Sequence, residues 1–451
     1  MAMMVKNYRR TNPDSLHDVR DNARKVAVLY SVEVELTRLV GAWIARTPEL
    51  PEKLALARVL YEDADHARLL GQRLLELRVA EARLDSLRRR TVPAFKTLEA
   101  LDDAGSFFDQ LFRVIKPTLL ADYRRHLDAA PPYVDEPSVR LMRQIIREEE
   151  EHLEAGLALL AERRRAPGGE VTYAQLWDLD ADDGGFTVDE WVGREPGQLP
   201  SPVWPAAVEK LRPDEPMPPY PQGFDEAMRR CVHDLVFSET EALDIFGRYA
   251  YELGGELPWQ FTFESARIAW DEARHVELLL NVLERYGGKI GAFPAKAPGY
   301  EEYVRQPTML EKLIMVNVIA EGEVSTDTQT QHREAFRELG DDLSALFKDY
   351  EMADEVSHGQ FGLRWARWLA EQTGQDYDEA FARARRALEK FKSSHDSDGE
   401  SSPIPLLRLG VDETGSGRLV NVSAKRLVGF SEDEIAALSG AAERTIEDAS
   451  I

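Results

Sequence analysis

Two stretches of this chain repeat one another. YSVEVELTRLVGAW from Tyr30 and VFSETEALDIFGRY from Val236 align at an offset of 206 residues, pairing Glu33 with Glu239, Glu35 with Glu241 and Gly41 with Gly247. The same offset pairs Glu149 with Glu355 and His152 with His358, while Asp63 and His66 match Glu272 and His275 at an offset of 209. Histidines repeated in place, with a shift of a few residues in one loop, mark a duplication, and a duplicated chain folds as two related halves. In both halves apolar residues recur at helical spacing, as in Val26-Leu29-Tyr30 and Leu153-Leu157-Leu160, with few alternating β-branched runs. The expected fold class is all-α.

The helical pattern runs over residues 13–165 and returns over 223–392. Between them, residues 166–222 are rich in Gly, Pro and Asp, including EPGQLPSPVWPAAVEKLRPDEPMPPYPQG, and such a segment cannot hold a long helix. It reads as a connection between two helical domains. SSHDSDGESSP then breaks the second pattern, leaving residues 393–451 as a polar tail with a short helix.

Charge and cysteine content narrow the chemistry. With 81 Asp and Glu against 56 Lys and Arg, the net charge of −25 repels phosphate backbones and anionic membrane surfaces, so nucleic acid and membrane are not expected partners. The start, MAMMVKNYRRTNPDSL, lacks the apolar core of a secretory signal, and no stretch approaches the roughly 20 apolar residues of a spanning helix, which reads as a cytoplasmic protein. A single cysteine, Cys231, excludes an internal disulfide and any cysteine-based zinc or iron–sulfur site within one chain. Metal chemistry here must use carboxylates and imidazoles.

Residues three apart on a helix share one face, so Glu-x-x-His aims a carboxylate and an imidazole at one point. The second half has this pattern twice, as Glu272-Ala-Arg-His275 and Glu355-Val-Ser-His358. A carboxylate-bridged pair of metals in a helix bundle also needs one Glu from each of two other helices. Glu241 lies 31 residues before Glu272, and Glu321 lies 34 before Glu355. Such intervals suit antiparallel helix pairs, since about 15 residues of helix span about 22 Å. Glu239 and Glu323 are the alternatives, roughly 200° around the helix from the first choices, and only one of each pair can face inward. Periodicity does not decide between Glu239 and Glu241. Asp271 and Asp354 each precede a Glu-x-x-His, and both are placed to accept the outer ring N–H of a metal-bound histidine.

This arrangement of Glu241, Asp271-Glu272-Ala-Arg-His275, Glu321 and Asp354-Glu355-Val-Ser-His358 resembles the ferritin-like di-iron carboxylate proteins. Asp-Glu-x-Arg-His is especially similar to the hydroxylases of soluble methane and toluene monooxygenases. The resemblance covers about residues 224–369 and is weaker in the first half. It implies two tandem ferritin-like four-helix bundles joined by the Pro- and Gly-rich connection. It also implies two iron ions, with manganese as the other candidate, one held by Glu241, Glu272 and His275 and the other by Glu321, Glu355 and His358, some of the glutamates bridging. The similar intervals between ligand helices favour Glu241 and Glu321. The expected activity is oxidation of a small organic substrate with O2. No flavin, ferredoxin or nicotinamide motif is present, so electrons come from a separate donor or from the substrate. A ferroxidase or iron-storage protein is the alternative.

Departures sharpen this expectation. A radical-forming tyrosine of the ribonucleotide reductase type has no counterpart, since its place is Leu279. The hydroxylases carry a threonine just after the third-helix glutamate, and Ser325 and Thr326 are the candidates here for assisting proton delivery. The first half keeps Glu35, Asp63, His66, Glu149 and His152, but Ile115 and Pro117 stand where Glu321 and Glu323 stand in the second. It reads as a degenerate copy, with a mononuclear site at His66, Glu149 and His152 left open. The acidic run from Asp178 to Gly185 lacks the glycine and glutamate positions of a calcium loop and reads as a solvated loop.

Overall fold

A computed structural model describes residues 18–162, 176–181, 184–186, 202–212, 215–253, 257–393, 419–439 and 444–446. Among these the chain is mostly helical, in keeping with the all-α expectation, and its only named strands are two three-residue segments. Most of the expected connection and the tail segment 394–418 lie outside the described residues. Packing divides the chain into two units, Met1–Val203 with Leu243–Trp270, and Trp204–Ala242 with Asp271–Ile451.

The first unit is built on helices α1 (Val19–Ile44), α2 (Leu50–Glu76), α3 (Glu81–Arg88), α4 (Pro93–Glu99), α5 (Ala104–Gln110), α6 (Lys116–Ala129) and α7 (Glu136–Glu162). A five-residue π-helical turn, Leu111–Ile115, joins α5 to α6. The Asp18 carboxylate accepts the Asp21 N–H at 2.8 Å and starts α1. From Val28 to Ile44 every residue of α1 is buried, so this helix is wrapped on all sides and carries Glu33 and Glu35 into the interior. It packs along α2, which contacts α7, which in turn contacts α6. Residues 243–253 and 259–270 of the next two helices complete the unit. Lys53 forms a fully buried ion pair with Asp244, and Trp259 donates its indole N–H to the Ala64 carbonyl at 3.2 Å.

Gly41 and Gly247, paired in the repeat, meet each other. A Cβ on Gly41 would lie 2.6 Å from the Gly247 carbonyl oxygen, a distance no side-chain carbon tolerates. The two equivalent helices therefore cross at their equivalent glycines, and the absence of side chains sets how closely the backbones approach.

The second unit contains residues up to Ala242 of α8 (Phe224–Leu253) and from Asp271 of α9 (Trp259–Arg285). It continues through α10 (Pro298–Arg305), α11 (Met309–Leu313), a long π-helical stretch Ile314–Ser325, α12 (Thr326–Glu338), α13 (Asp342–Thr373) and α14 (Tyr377–Ser393). The π-helical stretch and α12 both pack on α13. Asp341 caps the start of α13, and Gly374, with φ of 68°, supplies the left-handed residue that ends it.

The end of the chain returns to this unit as β1 (Leu419–Asn421), α15 (Val422–Val428), α16 (Glu432–Ser439) and β2 (Arg444–Ile446), with the two strands paired in parallel. A Cβ on Gly359 would lie 2.8 Å from Val428 and 2.9 Å from the Gly322 backbone, so α15 seats against a glycine contact between α13 and the π-helical stretch. Lys425 is fully buried and donates to the Glu323 carbonyl, Thr326 Oγ1 and Asp327 Oδ1 at 2.7, 2.5 and 2.7 Å. The tail, expected to be polar with a short helix, thus contributes two short helices, one of them anchored by Lys425.

Candidate metal centre

Four helical segments of the second unit bring buried carboxylates and imidazoles together. Glu239, Glu272, His275 and Glu355 each offer a ligand atom within 4.8 Å of the others, and so do Glu272, Glu321, Glu355 and His358. Glu272 and Glu355 belong to both groups. His275 and His358 present Nδ1 inward: His275 Nδ1 is 3.3 Å from Glu272 and 3.7 Å from Glu239, and His358 Nδ1 is 3.2 Å from Glu272 and 3.5 Å from Glu355. Both Glu272 oxygens, Glu355 Oε2 and His275 Nδ1 are buried with no hydrogen-bond partner. Buried polar atoms left this way cost free energy unless a further group satisfies them, and a cation is the group this donor set fits.

The outer ring nitrogens are held crosswise. His275 Nε2 lies 3.1 Å from Asp354 Oδ2, and His358 Nε2 lies 3.6 Å from Asp271 Oδ2, so each aspartate orients the histidine of the other Glu-x-x-His helix. A carboxylate only accepts, so a proton on Nε2 leaves the Nδ1 lone pair facing the cluster. Arg274 contacts both Asp271 and, at 2.9 Å, Asp354, tying the two together.

Burial and crowding push the charges apart. Burial raises the Glu272 carboxyl to about 7. Burial and the facing Glu321 push Glu355 well above the usual carboxylate range. Glu239 goes the other way: burial opposes its ionisation, but His275 and then Lys348 bring it down to about 2. Burial also opposes a charged His275, yet Asp354, Glu239 and Glu272 outweigh it and raise its pKa well above normal. His358 is raised likewise, against burial, by Asp271 and the surrounding glutamates. Neighbouring acids driven in opposite directions are a mark of functional sites.

Five of the six residues expected as ligands, Glu272, His275, Glu321, Glu355 and His358, come together here. The sixth, Glu241, does not. Its Oε1 accepts the backbone N–H of Tyr300, and Glu239, two residues earlier and on the opposite face of α8, enters the cluster instead. Of the candidate hydroxyls, Thr326 is fully buried, donates to the Gly322 carbonyl at 2.9 Å and also accepts from Lys425; it is engaged by the helix and the tail. Ser325 is half-buried. Glu323 is bound by Arg385 through both carboxylate oxygens at 2.5 Å. Behind Glu239, the buried pair Lys348 and Glu351 went unmarked in the sequence, where a lysine and a glutamate three apart read as a surface pair.

The first unit holds a parallel cluster of Glu33, Asp63, His66 and Glu149. Glu33, the partner of Glu239 in the repeat, faces inward, while Glu35 takes Arg38 at 3.4 Å. Lys116, unmarked in the sequence, reaches into the middle of the cluster, with Nζ 2.5 Å from Asp63 and 2.7 Å from Glu149. His152 is turned inward beside it, its Nδ1 3.4 Å from Lys116 Nζ. In the acidic run from Asp178 to Gly185, Asp182 and Asp183 lie outside the described residues, and Asp180 pairs with Lys25 at 3.2 Å and Arg125 at 2.9 Å.

Comparison with known proteins identifies a family. A family model described as "Protein of unknown function (DUF455)" matches residues 170–398, just over half of the chain. The chain belongs to the DUF455 family. The matched span includes every residue of the candidate metal centre. No curated protein and no solved structure matches the chain. Among the described residues no helix is long and apolar enough to cross a membrane.

Proposed function

We propose that this DUF455 protein is a non-haem di-iron oxidase or oxygenase, built as two tandem ferritin-like four-helix bundles of which the C-terminal one is active. The observation that carries this reading is the sharing of Glu272 and Glu355 by two overlapping donor groups, each completed by its own histidine and its own glutamate. One metal site needs a single group; two groups with common carboxylates suit two ions side by side. On this reading Glu239, Glu272, His275 and Glu355 would hold one ion, and Glu272, Glu321, Glu355 and His358 the other. Iron is the proposed metal, with manganese the other that an oxygen- and imidazole-rich set accommodates.

Two adjacent iron ions, when bound, supply the electrons and charge stabilisation to reduce O2 and oxidise a small organic substrate. The chain's own residues prepare the place. Asp354 and Asp271 hold the imidazoles in the metal-binding tautomer, and Arg274 offsets the negative charge of both aspartates. The raised pKa values of Glu272, Glu355 and both histidines mean that ions enter by displacing protons, so uptake releases acid. Burial of Glu272, Glu355, His275 and His358, none more than 1% exposed, keeps bulk water from the centre.

The test is metal analysis of the purified protein followed by mixing of its Fe(II) form with O2, alongside Glu272→Ala and Glu355→Ala. About two irons per chain, abolished in both variants, with O2 consumed in proportion to iron, is the expected result. Accumulation of many ferric ions per chain would turn the reading to iron storage. Absence of bound metal in wild type would remove it.

A further inference from the structure

The N-terminal cluster matches the C-terminal one in most of its donor residues but encloses a lysine ammonium. The His66 and His152 rings lie 6.4 Å apart at 39°, against 6.2 Å and 35° for His275 and His358. Their outer nitrogens are held crosswise too, His66 Nε2 by Glu148 at 2.9 Å and His152 Nε2 by Glu62 at 2.6 Å, each acid preceding the cluster carboxylate of the other helix. Asp63, Glu149 and Glu33 take the places of Glu272, Glu355 and Glu239. Glu33 Oε2, Asp63 Oδ2, Glu149 Oε2 and His66 Nδ1 are all buried with no hydrogen-bond partner. Only the counterpart of Glu321 is missing, and the next residue along is Lys116, where the second copy has Gly322.

The π-helical turn Leu111–Ile115 ends directly before Lys116. In the second copy the corresponding residues, Glu321 and Gly322, lie inside the longer π-helical stretch Ile314–Ser325. Lys116 is fully buried, and its ammonium touches Asp63, Glu149 and, at 3.4 Å, His152 Nδ1. These are the counterparts of the two shared glutamates and one histidine of the other cluster. Three converging carboxylates need a positive charge in this dry setting, and the tethered ammonium supplies it. We propose that Lys116 stands in for a metal ion in an otherwise complete carboxylate and histidine site, and that shortening this side chain opens the site to one divalent cation, held by Glu33, Asp63, His66 and Glu149.

The experiment compares wild type and Lys116→Ala as full-length chains, stripped with chelator and dialysed against millimolar Mn(II), with manganese per chain measured by elemental analysis. The variant is expected to hold one ion more than wild type, and its melting temperature to rise more on adding Mn(II). A folded variant that takes up no more than wild type overturns the proposal. The readout is the difference between the two proteins, so metal at the C-terminal cluster cancels and failure of the di-iron reading leaves the comparison intact. His66→Ala in the otherwise native chain is the second arm, usable even if Lys116→Ala does not fold. Unchanged manganese content supports the proposal, and loss of one ion overturns it by showing that the cluster already binds metal.

Discussion

Replacing Gly41 by alanine sets two effects of opposite sign against each other. In a helix interior the exchange removes backbone freedom from the unfolded chain and stabilises by about 0.5–1 kcal/mol. Against this, the new Cβ would sit 2.6 Å from the Gly247 carbonyl oxygen, and that obstacle is backbone, held at a helix crossing. Relief requires the helices to part by several tenths of an ångström, loosening a tightly packed contact, and overpacking of this kind costs roughly 1–3 kcal/mol. The clash wins, and Gly41→Ala is expected to destabilise by about 1–2 kcal/mol net, lowering the melting temperature by about 2–4 °C per kcal/mol in a unit of this size. Gly247→Ala is the internal control. Its Cβ meets the Ile44 side chain at 3.1 Å and the Gly41 carbonyl at 3.3 Å, contacts that small shifts relieve, so its net effect is expected within about 0.5 kcal/mol of zero. Thermal unfolding of both variants by calorimetry provides the comparison. Equal effects, or stabilisation by Gly41→Ala, would refute the idea that backbone contact between the repeated glycines sets this crossing.

Three further outcomes can be checked. Asp354→Asn removes the anionic partner of His275 and one of the two carboxylates on Arg274, and metal affinity in a chelator competition titration is expected to fall about 10- to 100-fold. Glu239→Gln is expected to lower metal content, whereas Glu241→Gln should retain the metal, since only Glu239 lies in the cluster; the reverse outcome would restore Glu241 as the ligand. Cys231 is 2% exposed, and burial, reinforced by Asp234, pushes its thiol well above the usual range. Alkylation of the native protein at pH 8 should therefore be slow and become fast in denaturant, and rapid labelling of the native protein would contradict this burial.

Much of the candidate centre was legible because helical geometry is local. Glu272 with His275 and Glu355 with His358 share a face through a three-residue spacing that any helix imposes, and Asp271 and Asp354 follow from the same local register. Glu241 misled because Phe237 and Ile245 flank it as convincingly as Leu235 and Leu243 flank Glu239. When a helix is buried on nearly every side, apolar periodicity loses its power to say which face looks inward. The repeat held a usable clue in Arg38, one turn after Glu35, which gives that glutamate its own partner and leaves Glu33 for the interior.

By itself the sequence determined the helical class and pointed to most carriers of the donor atoms, because each depends on residue type and short-range spacing. Tertiary structure decided that Glu239 and not Glu241 enters the cluster, that each aspartate serves the histidine of the opposite helix, and that Lys116 fills the N-terminal site. Those outcomes turn on rotations about helix axes and on which segments a packed interior brings within a few ångströms. None of these is written in the spacing of a single helix.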